Sequence, residues 1–157
     1  MAQLSIVEPG GGEVMELGGS RLRILEDGST TDHRLGVLEI TLAPHSEGPP
    51  QHRHSLHDEG FYIVSGTVRF TVGELEHDLT PGGMAMVPPG VPHTFSNPGD
   101  VPAVILSTVS PDLYVQYFRD LREWLTPDGP WTRERQIEIM SRYATVPSTE
   151  HGPEAAQ

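Results

Sequence analysis

Cysteine is absent from this chain of 157 residues. Its absence excludes disulfide bonds, thiolate metal sites and a cysteine nucleophile, so histidine and carboxylate side chains remain as metal ligands. Long apolar runs are absent too, and the N-terminal stretch MAQLSIVEPGGGEV has no basic region followed by an apolar one. The sequence therefore predicts a soluble, cytoplasmic protein that does not span a membrane.

Basic side chains are scarce. Ten lysines and arginines stand against 22 aspartates and glutamates, which gives a formal net charge of -12. Nucleic acids and anionic membrane surfaces are bound mainly through basic patches, so neither is an expected partner. The acidic excess otherwise bears on solubility alone.

Glycine and proline are plentiful, with 17 and 15 residues spread along the chain. This composition is typical of many short strands joined by turns, and about nine strand candidates precede residue 110. The stretch LGVLEITLAP alternates apolar and polar residues, whereas EGFYIVSG is apolar on both faces, which predicts a strand buried between two layers. The expected fold class is all-β, a sandwich or barrel.

The pattern changes at residue 110. The stretch SPDLYVQYFRDLREWL has apolar residues at helical spacing, TPDGP interrupts it, and WTRERQIEIMSRY predicts a second, shorter helix. We therefore expect strands over residues 1–34 that join the barrel, a barrel core over residues 35–109, and a helical extension over residues 110–145. Residues 146–157 are polar and aperiodic, which predicts a disordered tail.

Histidines and carboxylates crowd into the stretch QHRHSLHDEG. His52 and His54 are two residues apart, so on a strand both imidazoles point the same way. Glu59 shares their face only if SLHDE contains a turn and Glu59 opens the next strand. Two adjacent antiparallel strands would then aim these three side chains at one point, and His93, after a Pro-Pro-Gly turn, could add a fourth.

Three imidazoles and one carboxylate suit one divalent transition metal, Fe, Mn, Ni, Co, Cu or Zn, and leave positions open for a substrate or O₂. The alternative is that these histidines are ordinary residues of a polar loop. Their spacing alone leaves both interpretations open.

Two sequence motifs favour the metal. GPPQHRHSLHDEGFYIVSG contains His52-x-His54, four residues, Glu59, six residues and a glycine. GGMAMVPPGVPHTFSN contains a glycine, five residues, Pro-x-Gly, two residues, His93, three residues and an asparagine. Together they resemble the paired motifs of the cupin superfamily, over roughly residues 35–109. Within the cupins the chain looks most similar to small bacterial quercetinase-like proteins, on the stretches HDEGFYIVSGTVRFTV and LTPGGMAMVPPGVPHTF and the aromatic segment YVQYFRDL.

The resemblance implies a double-stranded β-helix, a jelly-roll barrel that holds a metal inside. The ligands it implies are His52, His54, Glu59 and His93. Glu59 is also the implied catalytic base, which would accept a proton from a metal-bound, enolisable substrate. His57 is additional to the motif. It could replace a ligand or contact one, and we expect it to face solvent in the turn.

Strand alternation places a further set of side chains inside the barrel, and we expect these to form the substrate pocket: Phe61, Ile63, Phe70 and Phe95. The alternative is that they only fill the core. An apolar interior around a metal suits a small aromatic molecule.

Three functions remain open on the sequence. The chain is a metal-dependent dioxygenase, an O₂-independent isomerase, cyclase or lyase that uses the same metal, or a small-molecule binder without catalysis. The resemblance further implies a homodimer, because cupins of this size are commonly dimeric, and exposed sheet edges favour pairing.

Overall fold

The computed structural model describes residues 4–124, 132–150 and 152. Ten strands precede two helices and a last short strand, in the order β1 Glu13–Leu17, β2 Ser20–Asp27, β3 Gly36–Leu42, β4 His52–His54, β5 Asp58–Ser65, β6 Val68–Val72, β7 Leu75–Leu79, β8 Met84–Val87, β9 Thr94–Ser96, β10 Ala103–Ser110, α1 Leu113–Trp124, α2 Arg133–Ser141 and β11 Thr145–Pro147. The predicted class, an all-β jelly roll with two C-terminal helices, is confirmed.

Two antiparallel sheets face each other. The larger has the strand order β1-β2-β3-β10-β5-β8. The smaller combines the pair β11-β4 with the triplet β7-β6-β9, because His52 and His93 form a backbone bridge between them. Strands β3 and β10 alternate strictly between buried and half-buried residues, so one face of the larger sheet covers the core.

Strand β5 differs from its prediction. Its inward side chains are buried as expected, but Tyr62 and Val64 are exposed on the outer face, so the strand is not buried between layers. Met84 and Met86, on the neighbouring edge strand β8, are exposed beside them. The outer face therefore carries an apolar patch of four residues. Homodimer formation stays a prediction, which light scattering would test.

The helices lie close to their predicted positions. Helix α1 packs its apolar face on β1, β2, β3 and β10, and Arg119 ties it there through ion pairs of 2.9 Å with Glu13 and Asp27. Residues 125–131, which contain the predicted break between the helices, lie outside the described residues. Neither of the two described helices is long and apolar enough to cross a membrane.

The prediction that residues 146–157 form a disordered tail is wrong for the first two of them. Residues 146 and 147 belong to β11, which pairs antiparallel with β4 and places Thr145 opposite His54. Beyond it, the Gly152 N–H donates to the Gly90 carbonyl at 2.8 Å. The segment is too short to show periodicity, and its order comes from contacts with β4. Residues 151 and 153–157 lie outside the described residues.

Candidate metal centre

The four predicted ligands come together inside the sandwich. One ligand atom from each of His52, His54, Glu59 and His93 lies within 4.8 Å of the others. All four side chains are buried, with at most 4% of any residue exposed. These residues could hold a metal ion.

The two sheets contribute to this cluster from opposite sides. His52 and His54 lie on β4, and His93 joins them through two backbone hydrogen bonds of 2.8 and 3.0 Å between His52 and His93. Glu59 lies on β5 in the larger sheet, opposite Val87 and Val109. The prediction that β4 and β5 are adjacent antiparallel strands is therefore wrong, because they lie in different sheets. The intervening turn crosses the sandwich, and the ligands meet across its interior.

Backbone carbonyls fix the tautomers of two histidines. His52 Nδ1 lies 2.8 Å from the Pro50 carbonyl oxygen, and His93 Nδ1 lies 3.2 Å from that of Val91. A carbonyl oxygen only accepts, so Nδ1 must carry the proton in both rings. Each Nε2 is then left with a lone pair directed into the cluster.

The hydroxyl of Thr145 fixes the tautomer of the third histidine, His54. The Thr145 hydroxyl donates to the Tyr143 carbonyl at 2.9 Å, and its oxygen lies 2.7 Å from His54 Nδ1. Because the only hydroxyl proton is already donated, Oγ1 accepts the Nδ1–H of His54. His54 therefore also presents the Nε2 lone pair. Outer partners of this kind orient the ligands in metal sites.

Imidazole lone pairs and the negative charge of Glu59 therefore face one another at the centre of the cluster. His54 Nε2 and His93 Nε2 lie 3.1 and 3.0 Å from the same carboxylate oxygen, Glu59 Oε2. With the ring protons placed on Nδ1, these contacts bring acceptors together without a proton between them. A divalent cation removes this repulsion, and imidazole with carboxylate suits several transition metals. The residues therefore fit a metal.

Protonation states agree with this arrangement. Burial lowers the pKa of His52 to about 3, assisted by the nearby His93 and His54, and burial also lowers the pKa of His54. Burial alone would raise the pKa of Glu59, but the neighbouring histidines, His54 foremost, hold it well below its usual range when they carry a proton towards it. At neutral pH the cluster thus offers neutral His52 and His54 rings and an ionised carboxylate.

The metal-free protein is expected to lose stability as the pH falls from about 6.5 towards 3. Unfolded His52 takes up a proton near its ordinary pKa of about 6.5, whereas its folded pKa is about 3. Between these values the unfolded state binds more protons, so the free energy of unfolding decreases with falling pH. Urea unfolding at pH 7, 6 and 5 measures this, and His52→Leu should flatten the dependence. An unchanged midpoint in the unmodified chain would contradict the expectation.

Replacing Thr145 with valine should weaken metal binding by about 10–100-fold, the usual effect of losing an outer partner of a histidine ligand. Valine keeps the size of threonine but cannot accept the Nδ1–H of His54. Competition with a chelator measures the affinity for Zn²⁺. Thr149→Val, at an exposed position, is the matched control. Equal affinities in the two variants would contradict the role of Thr145.

His57 does not face solvent, and that prediction is wrong. It is 1% exposed, its ring lies 4.0 Å from the ring of His54, and its Nε2 lies 3.5 Å from Glu59 Oε1. The turn folds inward under Tyr114 of helix α1, whose ring is 5.0 Å away. Contacts with a distant helix are not visible in a local sequence pattern, so the burial could not be predicted.

A cavity of about 390 Å³ adjoins the cluster. Of the four candidate ligands, His52 lines it, together with Phe95 and residues of the two helices: Tyr114, Tyr117, Phe118, Leu121 and Gln136. Tyr114 and Tyr117 stack at 4.4 Å between ring centroids. Burial raises the pKa of both hydroxyls, so both stay protonated at neutral pH. The cavity wall is mainly apolar and aromatic.

The predicted pocket residues divide between cavity and core. Phe95 lines the cavity, whereas Phe61, Ile63 and Phe70 are at most 3% exposed and pack within the core. The helix residues and Leu17 and Leu22 of the N-terminal strands form much of the wall instead, together with Ile40 and the loop residues 47–49. The spacing of aromatic residues in YVQYFRDL predicts an apolar helix face. It does not indicate that this face packs against the barrel beside His52.

Other polar residues lie away from the centre. Asp58 is exposed, as are the side chains of His33, His45 and His77. His151 lies outside the described residues.

Comparison with known proteins agrees with the fold and the motifs. Residues 38–109 match the cupin domain family Cupin_2. Protein SchB from Streptomyces halstedii is 26% identical over 93 residues, which are 59% of this chain and 67% of SchB.

Solved structures share the fold. An RmlC-like cupin from Shewanella frigidimarina NCIMB 400 is 26% identical, with a TM-score of 0.58 over 71% of this chain and 95% of that one. The polyketide cyclase RemF from Streptomyces resistomycificus is 17% identical, with a TM-score of 0.62 over 69% and 80% of the two chains. The matched domain, the jelly-roll sheets and the buried histidine–glutamate cluster agree, and residues 38–109 form a cupin domain.

Proposed function

We propose that this cupin is a metal-dependent dioxygenase that acts on a small, aromatic, enolisable molecule. The observation that supports it best is the placement of the ligand cluster. Three imidazoles and Glu59 converge beside a cavity whose wall is aromatic and whose volume, about 390 Å³, suits a ring system of a few fused or linked rings.

The cavity would bind and orient the substrate. Phe95, Tyr114 and Phe118 offer aromatic faces and edges to a flat ring. Gln136 and the protonated hydroxyl of Tyr117 can hydrogen-bond oxygens of the substrate. The apolar wall excludes water, which strengthens electrostatic interactions at the reacting end.

The cluster would supply the chemistry. A bound divalent transition metal provides Lewis acidity towards a substrate oxygen and, if it is redox-active, electrons for reaction with O₂. Glu59 would accept the proton that the substrate loses on enolisation.

A second candidate is an isomerase, cyclase or lyase that needs no O₂. It is favoured by the donor set, because three histidines and a glutamate bind redox-inert Zn²⁺ as readily as iron. The same Lewis acid and the same base then act on a substrate that is rearranged rather than oxidised. The polyketide cyclase RemF shares the fold, although at 17% identity.

Turnover with and without O₂ separates these functions. Protein loaded in turn with Fe²⁺, Mn²⁺, Ni²⁺, Co²⁺, Cu²⁺ and Zn²⁺ is incubated with a panel of flavonols and related enols, while absorbance and O₂ uptake are followed. The dioxygenase predicts substrate loss with matching O₂ uptake, and none under anaerobic conditions. Turnover that persists fully without O₂ contradicts the dioxygenase and supports the second candidate. Saturable quenching of tyrosine and tryptophan fluorescence without any turnover would contradict both and indicate a binding protein.

A further inference from the structure

His57 is a buried histidine whose polar atoms are unsatisfied. Neither Nδ1 nor Nε2 has a hydrogen-bond partner among the described residues, and 1% of the residue is exposed. Leaving a buried polar group unpaired typically costs about 1–3 kcal/mol. A leucine of similar size would fill the same space without that cost, so the packing of the core does not account for a histidine here.

The contacts of the His57 ring place its Nε2 beside one atom, Oε1 of Glu59. The ring lies against His54 and Tyr114, and Nε2 is 3.5 Å from Glu59 Oε1. The other oxygen of the same carboxylate, Oε2, faces His54 and His93 at 3.1 and 3.0 Å. The two oxygens of Glu59 therefore have different neighbours: Oε2 belongs to the ligand cluster, and Oε1 faces His57.

We propose that His57 is a positioning residue for Glu59. Its Nε2–H donates to Oε1, which keeps Oε2 turned towards His54 and His93 and stops the carboxylate from rotating to present both oxygens. The 3.5 Å separation is longer than an ordinary hydrogen bond, and such contacts are often long in free enzymes and shorten in the working complex. This inference rests on the metal centre of the proposed function.

Direct metal ligation by His57 fits the structure less well. The group whose ligand atoms lie within 4.8 Å of one another contains the other three histidines and Glu59, and His57 is not a member. Its Nε2 approaches Oε1, whereas His54 and His93 approach Oε2. His57 thus acts on the metal through Glu59.

Two substitutions test the proposal. His57→Leu removes the donor and keeps the volume, whereas His57→Gln places an amide N–H near the position of Nε2. Titration of the metal-free proteins with Co²⁺ gives both the affinity and the visible d–d spectrum, which reports the coordination geometry. Thermal melting of the metal-free proteins reports the stability of the fold.

We expect His57→Leu to bind Co²⁺ about 10–100-fold more weakly, with an altered d–d spectrum and a metal-free melting temperature no lower than that of the unmodified chain. His57→Gln should restore the spectrum and most of the affinity. An unchanged spectrum and affinity in His57→Leu would overturn the proposal. So would a loss that His57→Gln does not restore, since that result indicates ligation or a purely structural role. If the unmodified chain itself binds no Co²⁺, the proposed metal centre is refuted. If the unmodified chain binds Co²⁺ and the His57 variants do not behave as expected, only the proposed role of His57 is refuted.

Discussion

Replacing His93 with alanine is expected to strip the metal from the purified protein. The imidazole supplies one of the converging Nε2 atoms, 3.0 Å from Glu59 Oε2. Since losing an outer partner of a ligand already costs 10–100-fold in affinity, losing the ligand itself should cost at least about 100-fold. His52→Ala should act in the same way. Metal analysis after gel filtration measures the effect, and any metal-dependent turnover should disappear with the ion.

The fold should survive this substitution. His93 pairs with His52 through main-chain hydrogen bonds, which do not need the imidazole, so the circular dichroism spectrum should be retained. The matched control is His77→Ala, an exposed histidine on β7, which should keep its metal. Full metal content in His93→Ala would show that His93 is not a ligand.

Replacing Glu59 with glutamine should separate metal binding from catalysis. The amide keeps the length of the side chain and one oxygen that can face the metal, but it cannot accept a proton. We therefore expect partial retention of the metal and a fall in kcat of about 10²–10⁴-fold, the usual contribution of general-base catalysis. The rate is measured at saturating metal, so that lost occupancy is not mistaken for lost chemistry.

The neighbouring carboxylate provides the control for this experiment. Asp58 precedes Glu59 on β5 but is exposed, so Asp58→Asn should leave both metal content and kcat unchanged. A Glu59→Gln variant with full metal and full activity would refute the role of Glu59 as base.

The candidate ligands follow from the resemblance to the cupin motifs, because their spacing alone also fits a polar loop; local geometry explains only how they can face the same sandwich interior. His52 and His54 share a strand face through period-2 alternation, and the turn between His54 and Glu59 is required by their odd spacing. Long alternating strands such as β3 and β10 likewise show their buried faces in the sequence. Such features depend on neighbours along the chain, which the sequence displays.

The surroundings of the ligands could not be predicted, because they depend on segments far apart in the chain. Thr145 reaches His54 from a strand of three residues, too short for any pattern. His57 is buried because helix α1 covers the turn. The cavity wall combines N-terminal strands, β9 and both helices, and neither spacing nor composition indicates which of their apolar faces meet.

Elemental analysis of the purified, unmodified protein tests the central claim most directly. After expression in medium supplemented with transition metals, we predict about one divalent ion per chain, bound by the buried His52, His54, Glu59 and His93. Chelation should remove it, and refilling should restore the initial content. Protein that is folded by circular dichroism and yet carries no transition metal, and takes up none on titration, would contradict the account.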